Sequence, residues 1–464
     1  MPPMARAAAF FDLDRTLLRG ASGPVISAAL REAGILPERH IPGEGIAYRV
    51  FDVMGETLPS MALARQAAAV ASGWSAEAVV LAAKAAAEVL SGAVQPWAHQ
   101  LIDEHRRAGR AVVLATTTPF DVVKPFADRL GLDDVIATRY GRNDDGTYDG
   151  SILGNFVWGT GKLAAVRSWA EAHDVDLAQS WAYSDSVYDT PLLHAVGHPT
   201  AVNPDPRLQI VAKVRRWPVV HLDVPPGVPK VVGVEPMSAL RPLLRPATFP
   251  FARFDISGTG GIPRSGPAII VANHRSYFDP VVLAMAAARA GRSIRFLGKK
   301  EVFEAPVIGS LVRSIGTIRV DRGSGSRAPL DAAARALDAG EVVALMPQGT
   351  IPRGPEFFDP VLKGRHGAAR LAKVSGAPVI PIGLWGTERV WPRRSKTPRL
   401  LTINPPRVSA TVGAPVTGLT GKEELDTARI MAAITDLLPP SARQRHDPTD
   451  RELAATYPSG RVPD

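Results

Sequence analysis

At 464 residues the chain is too long for one ordinary domain, and two or three are expected. Its 45% apolar and 21% charged residues are those of a globular protein, and the absence of cysteine excludes disulfides and thiolate zinc sites and suits a reducing compartment. A formal charge of +9 and a pI near 9.9 suit nucleic acid, anionic lipid or phosphorylated substrates, but no basic stretch is interleaved with aromatics, so no nucleic-acid partner is expected.

Met1 to Arg6 lack the apolar core of a signal peptide, and no apolar run is long enough to span a bilayer. Any membrane contact is therefore expected at the surface. Ala7-Ala8-Ala9-Phe10-Phe11 reads as a buried strand that ends in Asp12-Leu13-Asp14-Arg15-Thr16. In extended chain, positions two apart face the same side, so Asp12 and Asp14 converge. Two carboxylates at a strand end suit a hard divalent cation and attack on phosphorus, although acidic loop residues are commonly just solvated. About 75 Ala-rich residues follow, from Ala21 to Gln95, with the clearest helices at Leu58 to Val70 and Ala76 to Leu90. Arg110 to Ala115 is a second buried strand, ending in Thr116-Thr117-Thr118-Pro119. Asn143-Asp144-Asp145-Gly146 reads as a hairpin turn. Thr160-Gly161-Lys162 opens a helix, and Trp181 to Ser184 is a strand that runs into Asp185-Ser186-Val187-Tyr188-Asp189.

These residues fill four motif positions in order, each at a strand end or helix start. Residues 7–210 thereby resemble the haloacid dehalogenase superfamily of phosphohydrolases, in the branch similar to phosphoserine phosphatases. The resemblance implies a Rossmann-like fold in which Asp12 is the nucleophile and Asp14 the general acid and base. It implies that Thr116 (or Thr117) holds the phosphoryl oxygens and that Lys162 neutralises charge. Asp185, Asp12 and the main-chain carbonyl of Asp14 would hold Mg²⁺, with Asp189 supporting Lys162 or the metal. The helical insertion resembles a cap that closes over the site. It does not obviously reproduce the polar residues with which phosphoserine phosphatases hold an amino acid, so phosphoserine is not inferred as the substrate.

Prolines multiply between Arg215 and Pro267, the composition shift expected between domains. Within this stretch Val219 to Leu222 is apolar and reads as lying against one domain, and His221 has no evident partner. Ala268 to Ala272 then reads as a buried strand, followed by Asn273-His274-Arg275-Ser276-Tyr277-Phe278-Asp279 and by Pro280 at a helix start. A histidine held by a nearby carboxylate is a general base. The bland reading is that Asp279 is a helix N-cap and His274 a surface residue. Further on, Gly316 to Arg322 is a strand that delivers Arg322, and Val342 to Met346 is a strand that enters Pro347-Gln348-Gly349-Thr350. Val379 to Leu384 is the last strand before the end region.

The runs NHRSYFD, GTIRVDR, PQGT and VIPIGL make residues 250–415 resemble the glycerolipid acyltransferases typified by 1-acylglycerol-3-phosphate acyltransferases. The resemblance implies that His274 deprotonates a glycerol hydroxyl for direct attack on an acyl thioester, with Asp279 orienting it. Arg322 and the Gln348-Gly349-Thr350 loop would hold the acceptor's phosphate. The family usually has Glu where this chain has Gln348, and the Arg that often follows the Thr is replaced by Ile351 and Pro352 before Arg353. Trp385, Trp391 and the basic run from Arg393 suit an interfacial surface, and an exposed basic loop with one core tryptophan serves equally well. Lys422 to Leu438 reads as a closing amphipathic helix, and the polar tail beyond it as mobile.

The chain is thus expected to be α/β. Residues 1–214 would form a phosphatase domain with its cap at 21–95, 215–249 a linker, 250–440 an acyltransferase domain and 441–464 a tail. Acyl-CoA or acyl-carrier protein would donate to a lysophospholipid in phospholipid biosynthesis. The protein is expected in the cytoplasm, against the inner face of an anionic membrane. The alternative is a phosphatase for a small phosphoester whose second domain is reduced to lipid binding.

Overall fold

All four residues of Ala8–Phe11 (β1) are buried, because apolar side chains point to both faces of the strand. In this computed structural model, which describes residues 6–37, 57–230, 234–304, 308–320, 328–395 and 397–462, the chain divides into two units, Met1–Pro226 and Gly227–Asp464. Each has its own seven-stranded sheet.

The first sheet adds β2 (Ala111–Pro119), β3 (Asp134–Arg142), β4 (Tyr148–Leu153), β5 (Trp181–Ser184), β6 (His198–Val202) and β7 (Val219–Val220). Its order is β4-β3-β2-β1-β5-β6-β7, parallel except for the β3–β4 hairpin. The strand order reverses at β1, so the loop after β1 opens at a switch point of the sheet, where α/β folds place ligands. Phe10, Val113, Val166, Leu193 and Leu208 share the core on one face. The helices Leu58–Val70 and Ala76–Gly92 form as expected, joined by Gly23–Glu32. They are not a free-standing bundle: Leu30, Val79 and Ala82 share a small core with Val122 and Tyr148 of the main body. The hairpin turn at Asn143 is present, and Gly73 N–H donates to Tyr148 O at 2.8 Å, tying the hairpin to the helical insertion.

His105 lies fully inside this unit. Arg110 Nη1 donates to its Nδ1 at 3.2 Å, and Nε2 is 2.8 Å from the Tyr183 hydroxyl. Burial, with the Arg110 charge beside it, pulls its pKa from 6.5 down to about 4. The folded unit therefore holds His105 neutral, whereas the unfolded chain protonates it below about 6.5. The resulting stability, on the order of 3 kcal/mol, is complete above that pH and is lost as the pH falls towards 4. Urea unfolding at pH 7.5 and 4.5 checks this. Wild type should lose most of that increment at the lower pH and His105→Gln should not; equal pH slopes would refute the assignment.

The second sheet contains β8 (Arg253–Ser257), β9 (Ala268–Ala272), β10 (Arg295–Lys299), β11 (Ile318–Val320), β12 (Val342–Leu345), β13 (Val379–Trp385) and β14 (Arg407–Val412). The order is β11-β10-β12-β9-β13-β14-β8, with only β13 and β14 antiparallel. Here β9 is central and all of it is buried.

Two expectations about the connections need correction, the lack of a partner for His221 and the mobility of the tail. The apolar run from Val219 lies against the first unit, as expected. Val219 and Val220 form β7 on the first sheet, and His221 Nδ1 lies 3.1 Å from Asn203 Oδ1. Further on, Met237 of the helix Pro236–Leu240 is buried in the second core. Glu235 pairs with Arg295, a guanidinium only 1% exposed, whose Nε lies 3.4 Å from Glu341. Burial pushes the Glu341 carboxyl above the usual range. The polar tail is not without structure. Thr449 and Glu452 form a capping box that starts a helix at Asp450–Ala455, and Thr456 Oγ1 accepts the Gly354 N–H at 2.8 Å. The tail docks because that main-chain donor and the Gly354 surface receive Thr456 and Tyr457.

Candidate active sites

In the first unit, the register Phe11↔Tyr183 brings the C-terminal ends of β1 and β5 side by side. Asp12 and Asp185 follow those two ends directly, and Asp12 N–H donates to Tyr183 O at 3.0 Å. The chain then makes one wide turn, Leu13–Leu17, with Arg15 at φ 57°. This turn points Asp14 back towards the next helix, where its Oδ1 accepts the Ser22 N–H at 2.6 Å.

Lys162 links the parts. Its Nζ is 2.8 Å from Asp12 Oδ1 and 2.6 Å from Asp189 Oδ2, and it is only 1% exposed. Gly161 beside it lets the helix start pass close to the Phe156 main chain, since a Cβ there would lie 2.2 Å from the Phe156 carbonyl oxygen. Ser184 Oγ donates to Asp189 Oδ2 at 2.7 Å, so that carboxylate is held from two sides. Asp189 therefore supports the lysine. Asp185 is met by Arg15 Nε at 3.3 Å and Thr16 Oγ1 at 3.4 Å.

The two threonines differ. Thr117 Oγ1 donates to Val157 O at 2.9 Å, whereas Thr116 Oγ1 accepts the Thr118 N–H at 3.2 Å and keeps its proton for another acceptor. Of the two, Thr116 is the better placed to hold a phosphoryl oxygen. Sequence reasoning missed Asp205. Fully buried, it accepts from Val187, Arg207 and Leu208 N–H, and its own N–H donates to Asp185 O at 2.8 Å. It thereby pins the Asp185–Asp189 loop to the start of the helix Pro206–Arg215. The Asp205-Pro206 pair, a cap followed by Pro at a helix start, was the available signal.

Asp12 and Asp185 bring hard carboxylate oxygens to adjoining strand ends, which suits Mg²⁺. Among the described residues no three His, Cys, Asp or Glu side chains cluster to hold an ion. A cation there would rely on these two carboxylates and the main chain, and would compete with Arg15 for Asp185.

In the second unit, Asn273 extends the pairing between β9 and β13. Its Nδ2 donates to Leu384 O at 2.9 Å and its Oδ1 accepts Leu384 N–H at 2.7 Å. This fixes the loop that carries His274. Asp279 Oδ2 accepts three hydrogen bonds: from His274 Nδ1 at 2.7 Å, Arg275 N at 2.7 Å and Ser276 N at 2.9 Å. Asp279 begins the helix Asp279–Arg289 but spends its side chain on the preceding loop, so the plain N-cap reading fails. Its Oδ1 is buried with no hydrogen-bond partner among the described residues. With Nδ1 committed to Asp279, the imidazole presents Nε2 as its acceptor, on a side chain 18% exposed.

Gln348 Oε1 accepts the His274 N–H at 2.7 Å. This bond joins the histidine loop to the Gln348-Gly349-Thr350 turn. Gly349 has φ +74°, and the Arg365 side chain packs where a Cβ would point. Thr350 is half-buried beside it. Arg322 lies outside the described residues. Sequence reasoning did not single out Arg275. Its guanidinium lies over the Trp385 ring at 4.1 Å and the Phe357 ring at 4.2 Å, and its Nε meets Glu388 at 3.1 Å. Trp385 is thus half-buried under a cation, and Trp391 stands 5.8 Å from the Tyr277 ring with its Nε1 donating to Ser395 O. No helix among the described residues is long and apolar enough to cross a membrane.

One unit has an aspartate–lysine–aspartate line at a sheet's switch point, and the other a histidine–aspartate pair at the end of a central strand. They define a hydrolase unit and a transferase unit on one chain. Residues 9–194 match the family model of haloacid dehalogenase-like hydrolases, and residues 253–385 that of acyltransferases. The inhibition of morphological differentiation protein of Streptomyces azureus is 35% identical over 224 residues, which are 48% of this chain and 80% of that protein. Phosphoserine phosphatase SerB1 of Mycobacterium tuberculosis is 35% identical over 222 residues, 47% of this chain and 72% of its own. A solved 1-acyl-sn-glycerophosphate acyltransferase from Thermotoga maritima is 22% identical, covering 43% of this chain and 78% of that one at a TM-score of 0.34. The chain belongs to the haloacid dehalogenase-like hydrolases through its first unit and has an acyltransferase-family domain in its second. Phosphatases of the first family are generally magnesium-dependent.

Proposed function

We propose that the chain has two activities. The second unit moves an acyl chain from acyl-CoA or acyl-carrier protein to the free hydroxyl of a lysophospholipid such as 1-acylglycerol-3-phosphate. The first hydrolyses a phosphomonoester through an aspartyl-phosphate. The observation that carries the acyl-transfer reading is the 2.7 Å pair between His274 Nδ1 and Asp279, which leaves Nε2 free to take a proton.

In that reaction Nε2 takes the acceptor's hydroxyl proton as the oxygen attacks the thioester carbonyl. The tetrahedral adduct collapses with cleavage of the C–S bond, and the imidazolium returns the proton to the leaving thiolate. Asp279 stabilises the imidazolium at Nδ1. The alternative of a degenerate, lipid-binding second unit draws on Gln348 in place of the usual glutamate. Against it, the Gln348 oxygen still holds the His274 N–H, the part of the work that needs an acceptor and no charge.

In the phosphatase reaction an Asp12 oxygen attacks phosphorus, the ester P–O bond breaks, and Asp14 gives a proton to the departing alkoxide. Asp14 then takes a proton from the water that attacks the aspartyl-phosphate, which releases inorganic phosphate and restores Asp12. Lys162, fixed by Asp189, sets a positive charge beside Asp12 so that a phosphate dianion can approach a carboxylate. Magnesium held by Asp12 and Asp185 would add positive charge for the same approach.

We further propose that the second unit works at an anionic bilayer surface. Leu400, Leu401 and Ile403 are 58%, 98% and 107% exposed, and Arg394 and Arg399 beside them are exposed too. Bare aliphatic side chains flanked by arginines suit insertion among anionic headgroups. The experiment presents wild type and the double variant Leu401→Asp/Ile403→Asp with phosphatidylglycerol vesicles carrying lysophosphatidate, and with acyl-CoA or acyl-carrier protein as donor. Wild type should sediment with the vesicles and form diacyl product, and the double variant should stay in the supernatant. Sedimentation of both alike would refute the surface assignment, and no product from either donor would refute acyl transfer.

A further inference from the structure

Arg393 is a buried cation, 8% exposed, in the loop that follows Trp391. Its Nη1 donates to Ile351 O, and Pro352 O lies 3.4 Å from the same nitrogen. The Tyr277 hydroxyl also faces its guanidinium, as does the charge of Arg353. Its Nε is buried with no hydrogen-bond partner among the described residues. Among the described residues no carboxylate pairs with it. Burial, then Arg353, push the guanidinium below the usual arginine range, and Tyr277 only partly offsets them. Among the described residues, a guanidinium taken out of water beside a second arginine, with an unused donor, has no counter-ion.

The place matters. Ile351 directly follows Thr350, Ser276 Oγ donates to Trp391 O at 2.7 Å, and Tyr277 lies three residues beyond His274. Arg393 thus meets the end of the Gln348-Gly349-Thr350 turn from across the site, where this chain has Ile351 and Pro352 and no arginine directly after the threonine.

We infer that Arg393, with Arg353, forms a subsite for a phosphoryl anion beside the His274 loop. The anion is the phosphate of the acyl acceptor or a phosphate of the CoA donor; both present the oxygens that a guanidinium fork binds. This rests on the acyl-transfer reading for its substrates, but binding tests it without turnover.

Calorimetric titration of the full-length chain in an Asp12→Asn background, which prevents hydrolysis by the first unit, would use two probes: glycerol 3-phosphate and unacylated CoA. Arg393→Met should weaken the relevant probe by about tenfold or more, Arg393→Lys should restore part of the loss, and Arg353→Gln should weaken it less. Loss confined to glycerol 3-phosphate assigns the site to the acceptor, and loss confined to CoA assigns it to the donor. Unchanged affinity for both probes in a folded Arg393→Met overturns the proposal. Should that variant fail to fold, unchanged affinity in both Arg393→Lys and Arg353→Gln overturns it equally. Arg393-dependent binding without acyl transfer by a chain with intact Asp12 would leave the subsite standing and refute the catalytic reading.

Discussion

Replacing His274 by alanine is expected to lower acyl transfer by roughly three orders of magnitude while phosphomonoester hydrolysis continues at the wild-type rate. Only Nε2 of this ring is free to accept the hydroxyl proton, because Nδ1 is held by Asp279 at 2.7 Å. Without the base, the acceptor must attack as a neutral alcohol. The loop itself should survive, since its anchors are Asn273 on the Leu384 main chain and the Arg275 and Ser276 amides on Asp279. Asp279→Asn should also fall steeply, because an amide cannot stabilise the imidazolium as a carboxylate does. The measurement is product formed from labelled acyl-CoA and lysophosphatidate, with p-nitrophenyl phosphate hydrolysis followed in the same samples. A His274→Ala protein that retains acyl transfer would remove this residue from the chemistry.

Asp12→Asn should abolish phosphomonoester hydrolysis, by about 10⁴-fold or more, and leave acyl transfer intact. The amide is a poor nucleophile and forms no aspartyl-phosphate. It also removes one of the two carboxylates that compensate Lys162, whose Nζ lies 2.8 Å from Asp12 and 2.6 Å from Asp189. That loss leaves a buried ammonium with Asp189 alone, so the variant should also melt at a lower temperature. Trapping of phosphate on the protein after acid quench gives the direct check: wild type should carry label and Asp12→Asn none. Equal labelling of the two would assign the nucleophile elsewhere.

The elements that hold these residues were legible because their signal is local. Apolar runs such as Ala268–Ala272 announce strands, and each ends at its reactive side chain, as β1 does at Asp12 and β9 just before His274. The helices of the insertion were equally plain from composition. The supports were hidden because they come from far along the chain. Asp205 steadies the Asp185–Asp189 loop from across the fold, and Arg393 reaches Ile351 over 42 positions. No periodicity encodes such pairs. Val219 and Val220 were too short a run to announce a seventh strand, and only the edge of β6 makes them one. The helix at Asp450 was masked by the polarity around it, although its Thr449–Glu452 cap was there to be read.

The amide-to-carbonyl bond between His274 and Gln348 has a mechanical consequence. The segment that carries the proposed proton acceptor and the segment proposed to cradle the headgroup are clipped together, so neither can shift without tugging the other. A headgroup that fits the turn badly will also mis-aim the imidazole. Discrimination among acceptors would then show in the speed of the chemical step as well as in the tightness of capture.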